Sequence, residues 1–206
     1  MENNLIINVG RQIGSGGRVI AKWLAEEFGC KYYDRGILIL AAKESGICEE
    51  FFEQNDEQKG FFSSLFHMHT PHMSDTCFYG TGMSQENLFK LQSDSIRKAA
   101  EEGPCVFVGR CADYVLRDFK RVTNVFVTAD IEHRTAEMMK RLECNAETAQ
   151  RQIANLESER AKYYNYYTGK KWGHSASYDL CVNSSVLGVD GTASFIADFI
   201  RKREGL

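Results

Sequence analysis

Proline is almost absent, with two residues in a chain of 206. That argues against long disordered or proline-rich linkers. An excess of positive charge is missing too. The formal net charge is −3, so no global basic field favours nucleic acid, and an anionic ligand has to be held by locally placed Arg and Lys. No apolar run approaches the ~20 residues of a membrane-spanning helix. No basic segment precedes the short apolar run after Met1-Glu2-Asn3-Asn4, so neither a membrane association nor a signal peptide is expected. Cysteine occurs seven times, at Cys30, Cys48, Cys77, Cys105, Cys111, Cys144 and Cys181, and never as a C-x-x-C pair. A scattered, odd set speaks against a disulfide framework or a zinc knuckle. Reduced thiols in a cytoplasmic protein are the expectation.

What is present is an alternation of short apolar runs and amphipathic stretches. Residues 5–9 form a short apolar run containing β-branched residues, which leads straight into Gly10-Arg11-Gln12-Ile13-Gly14-Ser15-Gly16-Gly17-Arg18. Beyond Val19, the spacing of Ile20, Trp23, Leu24 and Phe28 predicts a helix, and Gly29 suits its C-terminal end. A second strand is expected at residues 30–33 and a helix at 36–45, followed by a less regular stretch over 46–82. Residues 84–102 read as a helix that Gly103-Pro104 breaks, and 105–108 as a buried strand ending in Gly109-Arg110. Then come a strand at 121–128, a helix at 131–142 capped by Asp130, and a polar helix from 146 to about 167. A loop over 168–177, a last strand at 180–183 and a closing helix at 191–203 complete the chain. Strands alternating with helices imply βαβ units and a parallel sheet, the α/β class.

The glycine loop carries the chemistry. Glycine lets the backbone take positive φ and approach a ligand closely. The loop amides and the helix N-terminus behind them then favour an anion. The usual phosphate-binding pattern is G-x-x-x-x-G-K-[ST]. Counted from Gly10, Ser15 takes the second glycine, Gly16 the lysine, Gly17 the next position and Arg18 the threonine of a G-K-G-T ending. The lysine is missing. Arg18, at the start of the helix, or Arg11, inside the loop, could supply its charge; Arg18 is favoured. The G-x-G-x-x-G spacing of a dinucleotide fold is absent, because no glycine stands at Val19.

Several segments together resemble the cytidylate kinase-like family of P-loop nucleoside monophosphate kinases. They are N-V-G-R-Q-I-G-S-G-G-R-V-I-A from Asn8, Y-Y-D-R from Tyr32, and the run from Leu91 through P-C-V-F-V-G-R-C-A-D-Y-V-L. R-A-K-Y-Y-N-Y-Y-T-G-K-K-W from Arg160 and Y-D-L-C-V-N-S-S from Tyr178 follow in the same order. The resemblance implies a P-loop NTPase fold of three α/β/α layers with a five-stranded parallel sheet. It implies one domain over 1–206, with a monophosphate-binding insert at about 46–87 and a mobile lid at about 144–177. ATP and Mg²⁺ are the implied cofactors, and small-molecule nucleotides the implied partners.

Phosphoryl transfer needs in-line positioning and positive charge more than covalent chemistry from the protein. In the family, a G-R-D at the end of a strand contacts the acceptor. Here Arg110 matches, Cys111 stands at the aspartate, and Asp113 is a substitute two residues on. The family's D-[ST]-G-x-x-Y-R keeps Asp34 and Gly36 but not the tyrosine or final arginine, and Arg35 is a candidate replacement. Of the lid pattern R-D-x-x-D-x-x-R, Arg160 remains, with Glu157 at the second aspartate. Arg134, Met138 and Arg141 share helical spacing, so Arg141 joins Arg160 as a phosphate clamp. Tyr163, Tyr164, Tyr166, Tyr167 and Trp172 would either close over a base or pack the lid on the core. His67, His69 and His72 have conceivable metal spacing, yet no paired ligand supports a site, and none is assigned.

The expectation is therefore an ATP- and Mg²⁺-dependent kinase acting on a nucleoside monophosphate, CMP or dCMP first. Residues Gly10, Arg11, Gly14, Ser15, Gly16, Gly17 and Arg18 would form the donor cradle. Asp34, Arg35, Arg110 and Asp113 would hold the acceptor. Arg18, Arg110, Arg141 and Arg160 would gather round the transferred group. A nucleotide-binding module without turnover, or a kinase for another small acceptor, are the alternatives. Monomer and homodimer are both compatible with the sequence.

Overall fold

The computed structural model describes residues 4–34 and 85–206. Strand β1 (Ile6–Arg11) runs through the glycine loop into helix α1 (Gly17–Glu27), and β2 (Lys31–Tyr33) follows. The later elements are α2 (Gln85–Glu102), β3 (Cys105–Val108) and the single turn α3 (Ala112–Val115). After them come β4 (Val122–Thr128), α4 (Ile131–Leu142) and α5 (Ala146–Thr168). A 3₁₀ turn (Ser175–Ser177), β5 (Leu180–Asn183) and α6 (Ser184–Glu204) end the chain. The helix expected at 36–45 and nearly all of the expected insert lie outside the described residues.

The five strands form one sheet in the order β2-β3-β1-β4-β5, with every pair parallel. Parallel strands covered by crossover helices bury both faces, which is why these runs are apolar without strict alternation. Period two still sorts their side chains. Ile7, Val9, Val106, Val108, Val125 and Val127 join one core with Ile20 and Leu24 of α1 and Ile196 and Ile200 of α6. Phe107, on the other parity of β3, stacks on Tyr33 with ring centroids 5.3 Å apart. Each fully buried aliphatic side chain contributes about 1.5–3 kcal/mol from area alone.

The helix ends follow local chemistry. Asn145 caps α5 by accepting from the Thr148 amide at 2.9 Å, and left-handed Gly169 (φ 68°) closes its far end. Asp130 does occupy the N-cap position of α4, but its side chain does not cap. Its carboxylate accepts instead from Asn183 Nδ2 at 2.8 Å. The final helix is longer than the spacing predicts, because Asn183 caps an early turn through the Ser185 amide at 2.9 Å. Gly188 (φ 69°, ψ 174°) interrupts it, so the expected closing helix is its second piece.

The chain divides into two compact units, Met1–Arg35 with Arg97–Leu206, and Gly36–Ile96. The first holds the sheet. Of the second, the described residues form the N-terminal part of α2. Among the described residues no helix is long and apolar enough to cross a membrane.

Candidate active site

The loop between β1 and α1 is fixed from outside and open at its amides. Gly14 (φ 78°) and Gly16 (φ 71°) are left-handed, and Gly16 is the N-cap of α1. A Cβ on Gly14 would lie 2.8 Å from the Arg134 carbonyl oxygen, so this turn admits only glycine. Ser15 is fully buried, and its hydroxyl donates to the Gln12 carbonyl at 3.0 Å. What Ser15 presents is its amide. The Ser184 hydroxyl lies 2.8 Å from the Ser15 carbonyl and 3.0 Å from that of Thr128, tying the loop to β4 and to the start of α6. The Gln12 amide donates to Val127 at 3.0 Å, and its side-chain oxygen accepts from the Ala129 amide at 3.2 Å. Among the described residues, the amides of Gly14, Ser15 and Gly16 donate to no protein acceptor. Those of Gly17 and Arg18 precede the first intrahelical bond of α1. Amides left open in this way at a helix N-terminus are the arrangement that suits an anion.

Arg18 turns toward β2. It forms an ion pair with Asp34, with its own side chain 70% exposed and that of Asp34 14%. The structure therefore brings a loop residue to a residue expected on the acceptor side. Tyr32 lies beside the pair, where burial pushes its hydroxyl pKa up against the pull of Arg18. Arg35 lies outside the described residues.

At the end of β3, Gly109, Arg110 and Cys111 are successively left-handed, with φ of 72°, 62° and 57°. Two non-glycine residues in that region store roughly 1–3 kcal/mol each. The Arg110 guanidinium stands 5.9 Å from the ring centroid of Tyr163 on α5. Asp113 is buried and accepts from the Tyr164 hydroxyl at 2.6 Å, with Lys170 Nζ at 3.9 Å. Burial raises the Asp113 pKa, opposed by Tyr164 and Lys170. Burial also raises Tyr164 and Tyr178, with the Asp113 charge adding to both. Tyr164 stacks on Tyr178 at 6.4 Å, Tyr178 packs on Phe126 at 4.8 Å, and Trp172 meets Phe126 edge-on at 5.3 Å. Part of the tyrosine run thus packs α5 on the sheet.

Helix α5 also touches the loop. Glu157 Oε1 accepts from Arg134 Nη1 at 2.6 Å and from the Ile13 amide at 3.2 Å. Arg160 Nη1 donates to the Arg11 carbonyl at 3.2 Å. Ile13, Met138, Ala149 and Ile153 form an apolar cluster beneath these contacts. The shared helical spacing of Arg134, Met138 and Arg141 does not give them one environment. Arg134 and Met138 are buried, whereas Arg141 is exposed in the last turn of α4. Sequence reasoning missed the Glu157–Arg134 and Asp113–Tyr164 links. Each joins residues far apart in the chain, and the one hint was an acidic residue at position 157 of an otherwise broken lid pattern.

Five cysteines among the described residues, Cys30, Cys105, Cys111, Cys144 and Cys181, are free thiols. Burial pushes Cys30 up to about 11 and Cys105 and Cys111 up to about 12. Among the described residues no group of three His, Cys, Asp or Glu side chains is placed to hold a metal ion. His67, His69 and His72 lie outside them.

A five-stranded parallel sheet with a glycine loop leading from its central strand into a helix defines an α/β protein of the P-loop fold class. The sequence profile of the Cytidylate kinase-like family matches residues 6–186, and the chain belongs to that family. It is 25% identical to the cytidylate kinase of Pyrococcus horikoshii over 196 residues, covering 95% of this chain and 88% of that one. The cytidylate kinase of Methanopyrus kandleri is also 25% identical, over 203 residues, covering 94% and 91%. Among solved structures, an uncharacterized protein from Eubacterium ventriosum superposes with a TM-score of 0.71 at 26% identity, covering 95% and 98%. Shikimate kinase from Bacteroides thetaiotaomicron shares the fold, with a TM-score of 0.52 at 11% identity over 96% and 98% of the two chains.

Proposed function

We propose that this chain is a nucleotide kinase that passes the γ-phosphate of ATP to a nucleoside monophosphate, with CMP or dCMP the first acceptors to try. One observation carries the reading. A family whose named relatives are cytidylate kinases here keeps a loop whose amides at Gly14, Ser15 and Gly16 face no protein acceptor among the described residues, at the N-terminus of α1.

The cradle fits a chain of phosphates, because it offers successive backbone donors and a helix dipole in a turn that only glycine can make. Mg²⁺, when bound, would neutralise phosphate charge and align the transfer. Ser15 Oγ is engaged with Gln12, so the ion would be carried on phosphate oxygens and water. On the acceptor side, Arg110 and Asp34 stand at the ends of β3 and β2, and Arg18 leans toward them through its pair with Asp34. Asp113 supports that side through Tyr164, and Arg35, which lies outside the described residues, is the remaining acceptor candidate. Arg160 reaches the loop from α5, and Arg141 stands at the end of the neighbouring helix. Residues 144–177 would act as the lid that excludes water, and residues 46–87 as the acceptor-binding insert of one kinase domain. A cytoplasmic site of action accords with the scattered free thiols.

The test is ADP release from Mg·ATP with each common nucleoside monophosphate in turn. A response to one acceptor, reduced about 100-fold or more in Arg110→Ala, is expected. Absence of ADP release with every acceptor, while the protein binds ATP, would replace this reading with that of a nucleotide-binding module.

A further inference from the structure

A phosphate loop without its lysine needs a cation from elsewhere. We propose that Arg11 is that cation, binding the donor phosphates in place of the lysine; the proposal rests on the kinase reading above.

The first support is the register of the loop. In G-x-x-x-x-G-K-[ST] the lysine directly follows a glycine at the start of the helix. Here the left-handed N-cap is Gly16 and the helix begins at Gly17. Counting back from Gly16 rather than forward from Gly10 puts Arg11 where the pattern has its first glycine. It puts Gly17 where the pattern has lysine. Counting from Gly10 would instead assign the lysine to Gly16, whose φ of 71° a lysine side chain rarely adopts. In this register arginine and glycine have exchanged places.

The second support is the space the arginine takes. A Cβ built on Gly17 would lie 2.5 Å from the Cβ of Arg11 and 3.2 Å from its Cγ. The Arg11 stem therefore fills the volume in which a side chain at position 17 would begin. A Cβ built on Gly109 would fall on the Arg11 guanidinium. Two glycines from different segments thus leave their side-chain space to one residue. The arginine runs from the root of the loop, past the start of α1, to the carboxyl end of β3. Strands β1 and β3 are neighbours, with Val9 opposite Val108. The carboxyl ends of adjacent strands are where open α/β sheets bind ligands.

The third support is how the two arginines are held. The Arg11 backbone is fixed by sheet pairing opposite Val127 and by Arg160 on its carbonyl. Arg18, the other candidate, is drawn to Asp34 at the end of β2. A guanidinium on a rigid strand end can grip two phosphate oxygens at once, which an ammonium cannot.

The experiment titrates wild type, Arg11→Met, Arg18→Met, Gly17→Lys and the double variant R11G/G17K with Mg·ATP and with inorganic pyrophosphate by calorimetry. Thermal unfolding checks each variant for folding. Arg11→Met should weaken both ligands about tenfold or more, the loss of a charge-assisted contact, while Arg18→Met stays within about threefold for pyrophosphate. Gly17→Lys alone should fail to bind, because its side chain meets the Arg11 stem. R11G/G17K, which restores the usual order, should recover pyrophosphate binding to within about tenfold of wild type. A folded Arg11→Met that binds both ligands as wild type does would overturn the assignment and leave the kinase reading standing. A wild type that binds neither ligand would overturn both.

Discussion

Asp113 carries a charge that the fold does not favour. It is buried at the start of the α3 turn, and burial lifts its pKa above the unfolded value despite help from Tyr164 and Lys170. The folded chain therefore holds this proton to higher pH than the unfolded chain does. The group's contribution to stability is complete below the ordinary carboxyl pKa of about 3.9 and is lost as pH rises through the higher folded value. Asp113→Asn keeps an acceptor for the Tyr164 hydroxyl and removes the titration. Relative to wild type, the variant should gain urea stability as pH is raised from about 4 toward neutrality. Parallel pH profiles for the two proteins would refute this. Asp113 was visible in the sequence as a candidate carboxylate, but its tyrosine partner was not. Asp113 and Tyr164 meet only because α5 folds back over the end of β3.

At the scale of elements, α5 is tied to the loop by one carboxylate serving two donors. Glu157 takes the Arg134 guanidinium and the Ile13 amide on the same oxygen, and Arg134 is itself buried. Removing one partner of such a pair leaves an uncompensated charge, which costs more than the pair contributes. Glu157→Gln should lose about 3 kcal/mol in urea unfolding, and Arg134→Met/Glu157→Gln should recover part of it. Equal stabilities for the single and double variants would show that the buried charge does not matter. The elements themselves were largely legible. All five strands lie close to where the apolar runs put them, because their shortness, β-branched residues and flanking turn residues mark buried parallel strands where period cannot. The ends were less so. Asp130 has the right residue type for a cap, yet Asn183, brought alongside by β5 pairing next to β4, captures its carboxylate. The early start of α6 was hidden by Gly188, which reads as a breaker and is in fact a kink. The direction of Arg18 was equally hidden, since it depends on β2 ending where Asp34 can reach it.

At the scale of the molecule, the sheet is held by one face that α1 and α6 share. Leu24 and Ile196 are fully buried in the same core as the alternate residues of the three central strands. Leu24→Ala should cost about 2–5 kcal/mol, with the denaturant slope unchanged. A loss under 1 kcal/mol would mean that α1 is not packed as described. The strand order has a further consequence, for the timing of synthesis. Strand β1 emerges first but lies at the centre, and both of its neighbours, β3 and β4, are encoded far downstream. At roughly 5–20 residues per second, several seconds pass before either partner leaves the ribosome. The Ser184 hydroxyl that fastens the loop arrives later still. The nascent chain therefore carries an unpaired apolar strand, with its glycine loop unfastened, until β3, β4 and Ser184 have been made. During that interval chaperones have their longest access to it.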